Sequence, residues 1–404
     1  MIIDNLNTVD WIILGALLGV FFAQCIWYVC VLCAPARRLR REKKANGQVR
    51  PATANSQLPG VSVILCAHNE GYNLSQYLPA LLTQNYPTYE VIVVDDGSED
   101  NTRDVVEQFM VSDPRLKMTF VPFGARVRST KKLALTLAAK AAQYDYLLLT
   151  DADCVPESPN WISEMVKGFN PNDKMVHDKM VNDIVLGFGA YFEQKGHINR
   201  LVRFDTLFNG LHYLGAAICG CPYMGVGRNL AYRKALFFET GGFTHQMTNR
   251  AGDDDLFVNY LATKDNTTVV ISPESYTWSP AKRTLKEWWQ QKRRHLSVSP
   301  SYRTATKWQL LFEPLTRGLF YALTIFAAVY YWPHNYQSPI TNHQLSIVFG
   351  LFLLRWLIQI AVLNTSARWM GLKGFNPFSI LWFDIILPLI NLWMLIIPQK
   401  KFKW

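Results

Sequence analysis

Three hydrophobic textures follow one another along the chain. An almost unbroken apolar stretch runs from Trp11 to Ala36, a long middle region alternates short apolar runs with helix-like segments, and beyond Tyr302 long apolar stretches return at about 308–332, 344–364 and 379–398. The long stretches have the length needed to cross a bilayer. In the middle region Val61–Cys66, Glu90–Asp95, Leu116–Val121 and the run from Asp145 to Cys154 read as strands. Segments from about Leu74 to Thr83, from Thr102 onward and over Ser129–Ala142 read as the helices between them. Strand and helix in alternation predict a parallel, doubly wound α/β sheet.

Charge gives the first span an orientation. Arg37, Arg38, Arg40, Arg41, Lys43 and Lys44 follow it directly, in a chain of 404 residues with net charge +10 and a hydrophobic fraction of 50%. A cleavable leader carries its positive charge in front of a shorter apolar core, so this is a signal anchor. The positive-inside rule then puts the N-terminus outside and residues from about 37 onward in the cytosol of a plasma or inner-membrane protein. A basic cluster can also bind nucleic acid, but beside a span it serves anionic lipid and topology, and no nucleic-acid partner is expected. The predicted organisation is an anchor over 1–36, a basic juxtamembrane linker over 37–58, an α/β domain over 59–281, an amphipathic interface helix over 282–305 and a membrane region over 306–404. The seven cysteines are scattered without metal-ligand spacing, three of them (Cys25, Cys30, Cys33) in the first span. They read as reduced packing residues, and Cys219 and Cys221 lie too close in sequence for a disulfide.

Candidate chemistry sits where the strands end. The run Asp145–Cys154 finishes in Asp151 and Asp153. In an extended segment residues i and i+2 point the same way, so both carboxylates can face one divalent cation bridging a diphosphate. A polar turn that happens to hold two acids is the plain alternative. The first strand ends in His68-Asn69-Glu70 and the second in Asp95-Asp96-Gly97-Ser98, with Asp100 and Thr102 following. Ligands of parallel sheets gather beyond carboxyl ends. Asp96 can accept from a base N–H, Gly97 allows a tight turn, and Ser98 or Asp100 can cap the next helix. A capped strand-to-helix turn explains Ser98 and Asp100 but not the two consecutive acids before them.

In order and spacing, His68-Asn69-Glu70, then Asp95-Asp96-Gly97-Ser98-x-Asp100-x-Thr102, then Asp151-x-Asp153, resemble the family 2 inverting glycosyltransferases with a GT-A fold, a Rossmann-like mixed sheet. Lys131-Lys132-Leu133-Ala134-Leu135 is similar to that family's Lys-x-x-Ala-Leu segment near the diphosphate. Gly227-Arg228-Asn229 and Gly241-Gly242-Phe243 resemble its acceptor side. Gly252-Asp253-Asp254-Asp255-Leu256 falls where it has Thr-Glu-Asp or Glu-Asp-x-Asp-Leu, and Gln291-Lys292-Arg293-Arg294-His295 where membrane synthases have Gln-x-x-Arg-Trp. The resemblance covers roughly residues 60–297.

The resemblance implies a nucleoside diphosphate sugar donor, uridine-based, bound by Asn69, Glu70, Asp95, Asp96, Lys131, Asp151, Asp153, Gln291 and Arg293 or Arg294. Mg²⁺ or Mn²⁺ would be held by Asp153 and Asp151. Gly227, Asn229 and His295 would face a lipid or glycan acceptor, and an acid of the Asp253–Asp254 pair would take the acceptor proton. The Thr-Glu-Asp alignment makes Asp254 the base and the alternative makes it Asp253; the ungapped match favours Asp254. A plain alternative for these acids is a helix N-terminus, where acids meet the dipole favourably, although three in a row repel one another. For Lys286–His295 it is a basic amphipathic helix on the membrane, with Trp288 and Trp289 at the interface. His295 in place of Trp departs from the polysaccharide synthases. It tilts the expected reaction toward a single transfer to a lipid or lipid-linked acceptor, as in relatives of ceramide glucosyltransferase, rather than processive synthesis of the poly-N-acetylglucosamine or cellulose type.

Three C-terminal crossings would leave Lys400, Lys401 and Lys403 outside, against the charge rule, and Pro388 offers a re-entrant path; three crossings is the reading kept. Arg355 and Asp384 fall at membrane depth, so they are expected to pair with each other or to face an acceptor groove. A transporter would explain the spans but has no use for acids at successive strand ends.

Overall fold

The computed structural model describes residues 8–46, 58–125, 127–169, 182–246, 249–332 and 343–396. Residues 47–57 of the expected linker 37–58, residues 333–342, and the tail lysines Lys400, Lys401 and Lys403 lie outside the described residues. The chain forms two compact units, residues 37–303 and residues 1–36 with 304–404.

In chain order the elements are α1 (Thr8–Trp27), α2 (Ala34–Asn46), β1 (Val61–Ala67), α3 (Gly71–Leu82), β2 (Tyr89–Asp95), α4 (Thr102–Ser112), β3 (Leu116–Phe120), α5 (Thr130–Ala141), β4 (Tyr146–Leu149), β5 (Val155–Pro156) and α6 (Trp161–Val166). There follow β6 (Ile184–Leu186), β7 (Gly189–Tyr191), α7 (His197–Ile218), β8 (Leu230–Arg233), α8 (Lys234–Glu239), α9 (Asp255–Leu261), β9 (Thr267–Val269), β10 (Thr277–Ser279) and α10 (Leu285–Leu296). The last three helices are α11 (Thr304–Tyr330), α12 (His343–Trp369) and α13 (Pro377–Ile396).

In the unit of residues 37–303 the main sheet runs β3-β2-β1-β4-β8-β6-β9. Strands β1 to β4 pair in parallel, and β8 lies antiparallel between β4 and β6. The sheet is therefore mixed, as the resemblance implies. Its strands read as near-continuous apolar runs because both faces are covered. Val61, Val63 and Leu65 of β1 and Val91 and Val93 of β2 pack with Leu74, Leu78 and Trp161 in one core. Each such aliphatic side chain withdrawn from water contributes about 1.5–3 kcal/mol. A second sheet, β5-β10-β7, stands beside the first. Because the chain steps outward from β1 to β2 and β3 and then returns to β4 on the other flank of β1, the order reverses at β1, where a doubly wound sheet opens its ligand crevice.

In the other unit, four helices among the described residues are long and apolar enough to cross a membrane, over Thr8–Leu32, Thr304–Tyr330, His343–Trp369 and Pro377–Met394. The first contains a π-helical turn, Tyr28–Leu32, closed by the Cys33 N–H donating to the Tyr28 carbonyl at 3.0 Å. Ser366 donates to the Leu32 carbonyl at 3.0 Å. The expected pairing of Arg355 with Asp384 is present, at 3.0 Å, and forms part of a larger cluster. Asp384 also accepts from Arg317 at 2.9 Å, Gln359 at 2.7 Å and Tyr321 at 2.5 Å. Arg317 in turn pairs with Glu313 at 2.9 Å, and Arg355 donates to Gln24 and Tyr28 at 2.9 and 2.8 Å. Two acids and two guanidinium groups thus balance, and the cluster draws a residue from every one of the four helices. Burying charge away from water is tolerable only with such pairing.

Candidate active site

The first shelf of the crevice is built from the ends of β1 and β2. Asn69 adopts a left-handed φ of 57°, which an asparagine tolerates better than most residues, and its Oδ1 accepts from the Glu99 N–H at 2.8 Å. Asp95 Oδ1 accepts from the Ser98 N–H at 2.9 Å, and Glu70 N–H donates to Thr102 at 2.8 Å. These residues fasten the two strand ends to one another. Capping falls to Asp100, which accepts from the Thr102 N–H at 3.0 Å ahead of the N-cap residue Asn101. Asp96 is placed differently. Its Oδ2 accepts from Thr130 at 2.6 Å, and its carbonyl meets His68 Nδ1 at 2.7 Å.

Asp151 and Asp153 follow β4 in a turn rather than in extended chain, with the Cys154 N–H closing onto the Asp151 carbonyl at 3.0 Å. The turn, not the alternation of a strand, brings them together. Oxygens of both carboxylates and the Cys154 sulfur lie within 4.8 Å of one another. Burial, then the charge of Asp151, raises the pKa of Asp153. Two acids so placed fit a divalent cation, which would relieve that repulsion. Burial holds the Cys154 thiol well above its ordinary value, so it stays protonated, and oxygen ligands suit Mg²⁺ or Mn²⁺ better than a thiol. Lys131 spans two acids, at 3.0 Å from Asp151 and 3.1 Å from Asp253. Desolvation opposes its charge, but Asp151, Asp253 and Asp254 outweigh it and hold its pKa well above normal.

The acid turn before α9 divides its roles. Gly252 sits at φ 87°, where a side chain would strain the backbone and its Cβ would lie 2.5 Å from Leu256. Asp254 is the N-cap of α9, its oxygens accepting from the Gly227 N–H at 2.7 Å and the Asp255 N–H at 2.8 Å. Burial, then the charge of Asp253, raises its pKa. Asp255 points inward, accepting from Tyr302 at 2.8 Å. Asp253 keeps the ion pair with Lys131.

On the far side α10 starts with a Thr284–Glu287 capping box. Gln291 donates to Tyr191 at 3.0 Å. The charge of Arg294 acts on Asp151 and on His295. His295 is exposed, yet the surrounding protein, followed by Arg294 and Arg228, pushes its pKa down to about 3, so the ring is neutral near pH 7.

One expected acceptor residue lies elsewhere. Asn229 is fully buried, accepting from Trp161 Nε1 at 3.1 Å and donating to the carbonyls of Phe188 and Ser275 at 3.0 and 2.7 Å. Its amide is spent on bracing the interior rather than facing the cleft. The residue before it was passed over: Arg228 lies 4.3 Å over the Tyr191 ring and donates to Ser279 at 2.9 Å, and its charge acts on both Asp151 and Asp153.

A mixed sheet with acids at its switch point has relatives among known proteins. The chain is 27% identical over 247 residues to the probable glycosyltransferase YdaM of Bacillus subtilis, a match covering 59% of the chain and 54% of that protein. It is 29% identical over 137 residues to the poly-beta-1,6-N-acetyl-D-glucosamine synthase of Staphylococcus epidermidis, covering 33% of the chain and 31% of the synthase. The chain thus spans about half or less of the length of these curated relatives. A mannosyltransferase of Pyrobaculum calidifontis, solved with GDP-Man and Mn²⁺, superposes with TM-score 0.51 at 20% identity over 87% of this chain and 98% of its own. That likeness establishes the GT-A type of fold. Residues 21–404 match the pattern of glycosyl transferase family 21, so the chain belongs to that family.

Proposed function

We propose that the enzyme moves a sugar, with inversion, from a nucleoside diphosphate donor to a lipid or lipid-linked acceptor at the membrane. The observation that supports this best is that Asp96, Asp151, Asp153, Asp253 and Lys131 gather at the switch point of a chain with four apolar spans. Asp96, held by Thr130, would receive a base N–H; a uracil ring supplies one, and uridine donors are the first choice. Asp153 and Asp151 would hold Mg²⁺ or Mn²⁺. When bound, that ion supplies charge neutralisation of the diphosphate leaving group. Lys131, Arg228 and Arg294 add fixed positive charge around the same place, and Lys131 pairs with Asp253. We propose Asp253 as the base, because both oxygens of Asp254 already accept backbone N–H groups and hold the turn, whereas Asp253 is met by the Lys131 side chain. Asp253 would take the acceptor hydroxyl proton as that oxygen attacks the anomeric carbon opposite the diphosphate. His295, neutral, would line the acceptor side. The basic run that follows the first span supports a cytosolic catalytic unit, and a plasma or inner membrane would be its host.

Membranes carrying the protein, fed labelled uridine and guanosine diphosphate sugars, are expected to transfer label from a uridine donor into an organic-extractable lipid. Label in an insoluble polymer would favour processive synthesis instead, the reading that the poly-N-acetylglucosamine synthase match recommends. Release of nucleoside diphosphate from no donor would sink both. In the same assay Asp153→Ala, and the native enzyme in excess chelator, should each lose at least about 100-fold in rate. Full activity of either would remove the ion from the scheme. Orientation has its own check: Cys219 and Cys221, both exposed, should resist an impermeant maleimide in intact cells and react after lysis. Labelling before lysis would overturn the cytosolic placement.

A further inference from the structure

Beside Lys131 stands a second lysine with a different environment. Lys132 is 1% exposed, and its ammonium donates to three backbone carbonyls: Gln246 at 2.8 Å, Asn249 at 2.9 Å and Ala251 at 3.0 Å. A lysine ammonium has three N–H donors, and all three are used here. The three carbonyls belong to the segment that leads into the acid turn, the last of them one residue before the left-handed Gly252 and two before Asp253. Carbonyl oxygens converging on one point repel unless a cation sits between them, so the arrangement of these three carbonyls depends on the ammonium. Glycine at 252 leaves the following turn without stiffness of its own. On its other side the turn is held by Tyr302 through Asp255, at 2.8 Å.

We propose that Lys132 is a positioning residue for the transfer step: its buried ammonium fixes the chain entering the acid turn, and so sets where the Asp253 carboxylate stands, without taking part in donor binding. This rests on Asp253 acting as the base. The first turn of α5 then has three separate tasks in consecutive residues, Thr130 on Asp96, Lys131 on the acids and Lys132 on the chain that carries one of them. Misplacing a catalytic group by about 1 Å costs on the order of 100-fold in rate.

The test compares Lys132→Met, which keeps the length and loses the charge, with Lys132→Gln, which keeps part of the hydrogen bonding. Each is assayed for binding of UDP and GDP with Mn²⁺, and for turnover as nucleoside diphosphate release from the donor that the native enzyme consumes. Expected is a fall in kcat of about 10- to 100-fold for Lys132→Met and a smaller one for Lys132→Gln. Nucleotide binding and the KM for donor should stay within about threefold of native, since no donor contact is removed. Unchanged kcat in Lys132→Met would overturn the proposal. So would loss of nucleotide binding in proportion to kcat in Lys132→Gln, which would make Lys132 a general support of the fold, including the case where Lys132→Met fails to fold. A native enzyme that consumes no donor would instead remove the reading of the site on which the proposal stands.

Discussion

Asp253→Asn is expected to lower transfer by about 10²–10⁴-fold while leaving nucleotide binding near native, because the amide fills the same space and cannot take a proton. Asp254→Asn should be milder, about tenfold or less, since asparagine is a good N-cap and keeps one of the two backbone contacts. Single-turnover transfer rates of the two variants, measured beside binding of UDP with Mn²⁺, decide between them. The opposite ranking would return the role to Asp254, as the ungapped motif match has it. Two native-like rates would mean that the base lies outside this turn. A pH effect follows as well. Asp254 has a raised pKa, so as the pH falls it takes up a proton before an ordinary aspartate would, and the Gly227 N–H then loses a charged acceptor. Transfer should therefore decline on the acid side from a higher pH than an unperturbed carboxylate would give.

The second large effect is expected in the membrane unit. Asp384→Ala leaves Arg317 and Arg355 buried without their shared counter-charge, a loss of about 3–5 kcal/mol for a broken buried pair. The variant should be recovered from detergent in low yield and unfold at a markedly lower temperature than the native protein. Arg355→Met alone should be destabilising too. The double variant should be less destabilised than the sum of the two, as partners in one network are not additive. A native melting temperature for Asp384→Ala would show that water or lipid head groups compensate the arginines.

How much of this was legible beforehand depends on whether the signal is local. Apolar runs ending in acids announce strands and their carboxyl ends, so β1, β2, β4 and the position of Asp96, Asp151 and Asp153 beyond strand ends could be read from the sequence, whereas the turn that brings Asp151 and Asp153 together could not. The pairing of Arg355 with Asp384 was legible for a similar reason, since a charge at membrane depth must find a partner. Arg317 and Glu313 were not singled out, because a short helical spacing between opposite charges is common on any helix. Lys132 and Arg228 were illegible: their partners are carbonyls and rings more than a hundred residues away or on another sheet, and a carbonyl leaves no mark in a sequence. Asn229 shows the converse, a motif residue whose side chain faces inward, as membership of a motif does not say which way a side chain points.

The π-helical turn at Tyr28–Leu32 has a bearing on how related chains should be compared. A turn closed from residue i to i+5 takes up one residue more than an α-helical turn over nearly the same rise. The first span therefore carries one surplus residue, absorbed where Val29 and Cys30 are exposed, while Tyr28 on one flank and Leu32 on the other keep their partners Arg355 and Ser366. Removing a residue elsewhere in that span, near Gly15 for instance, would rotate everything beyond it by about 100°, one residue's share of a 3.6-residue turn. A relative shorter by one position between Tyr28 and Cys33 can thus keep the same polar core in the same rotational phase, so a gap there is no sign of a different membrane architecture.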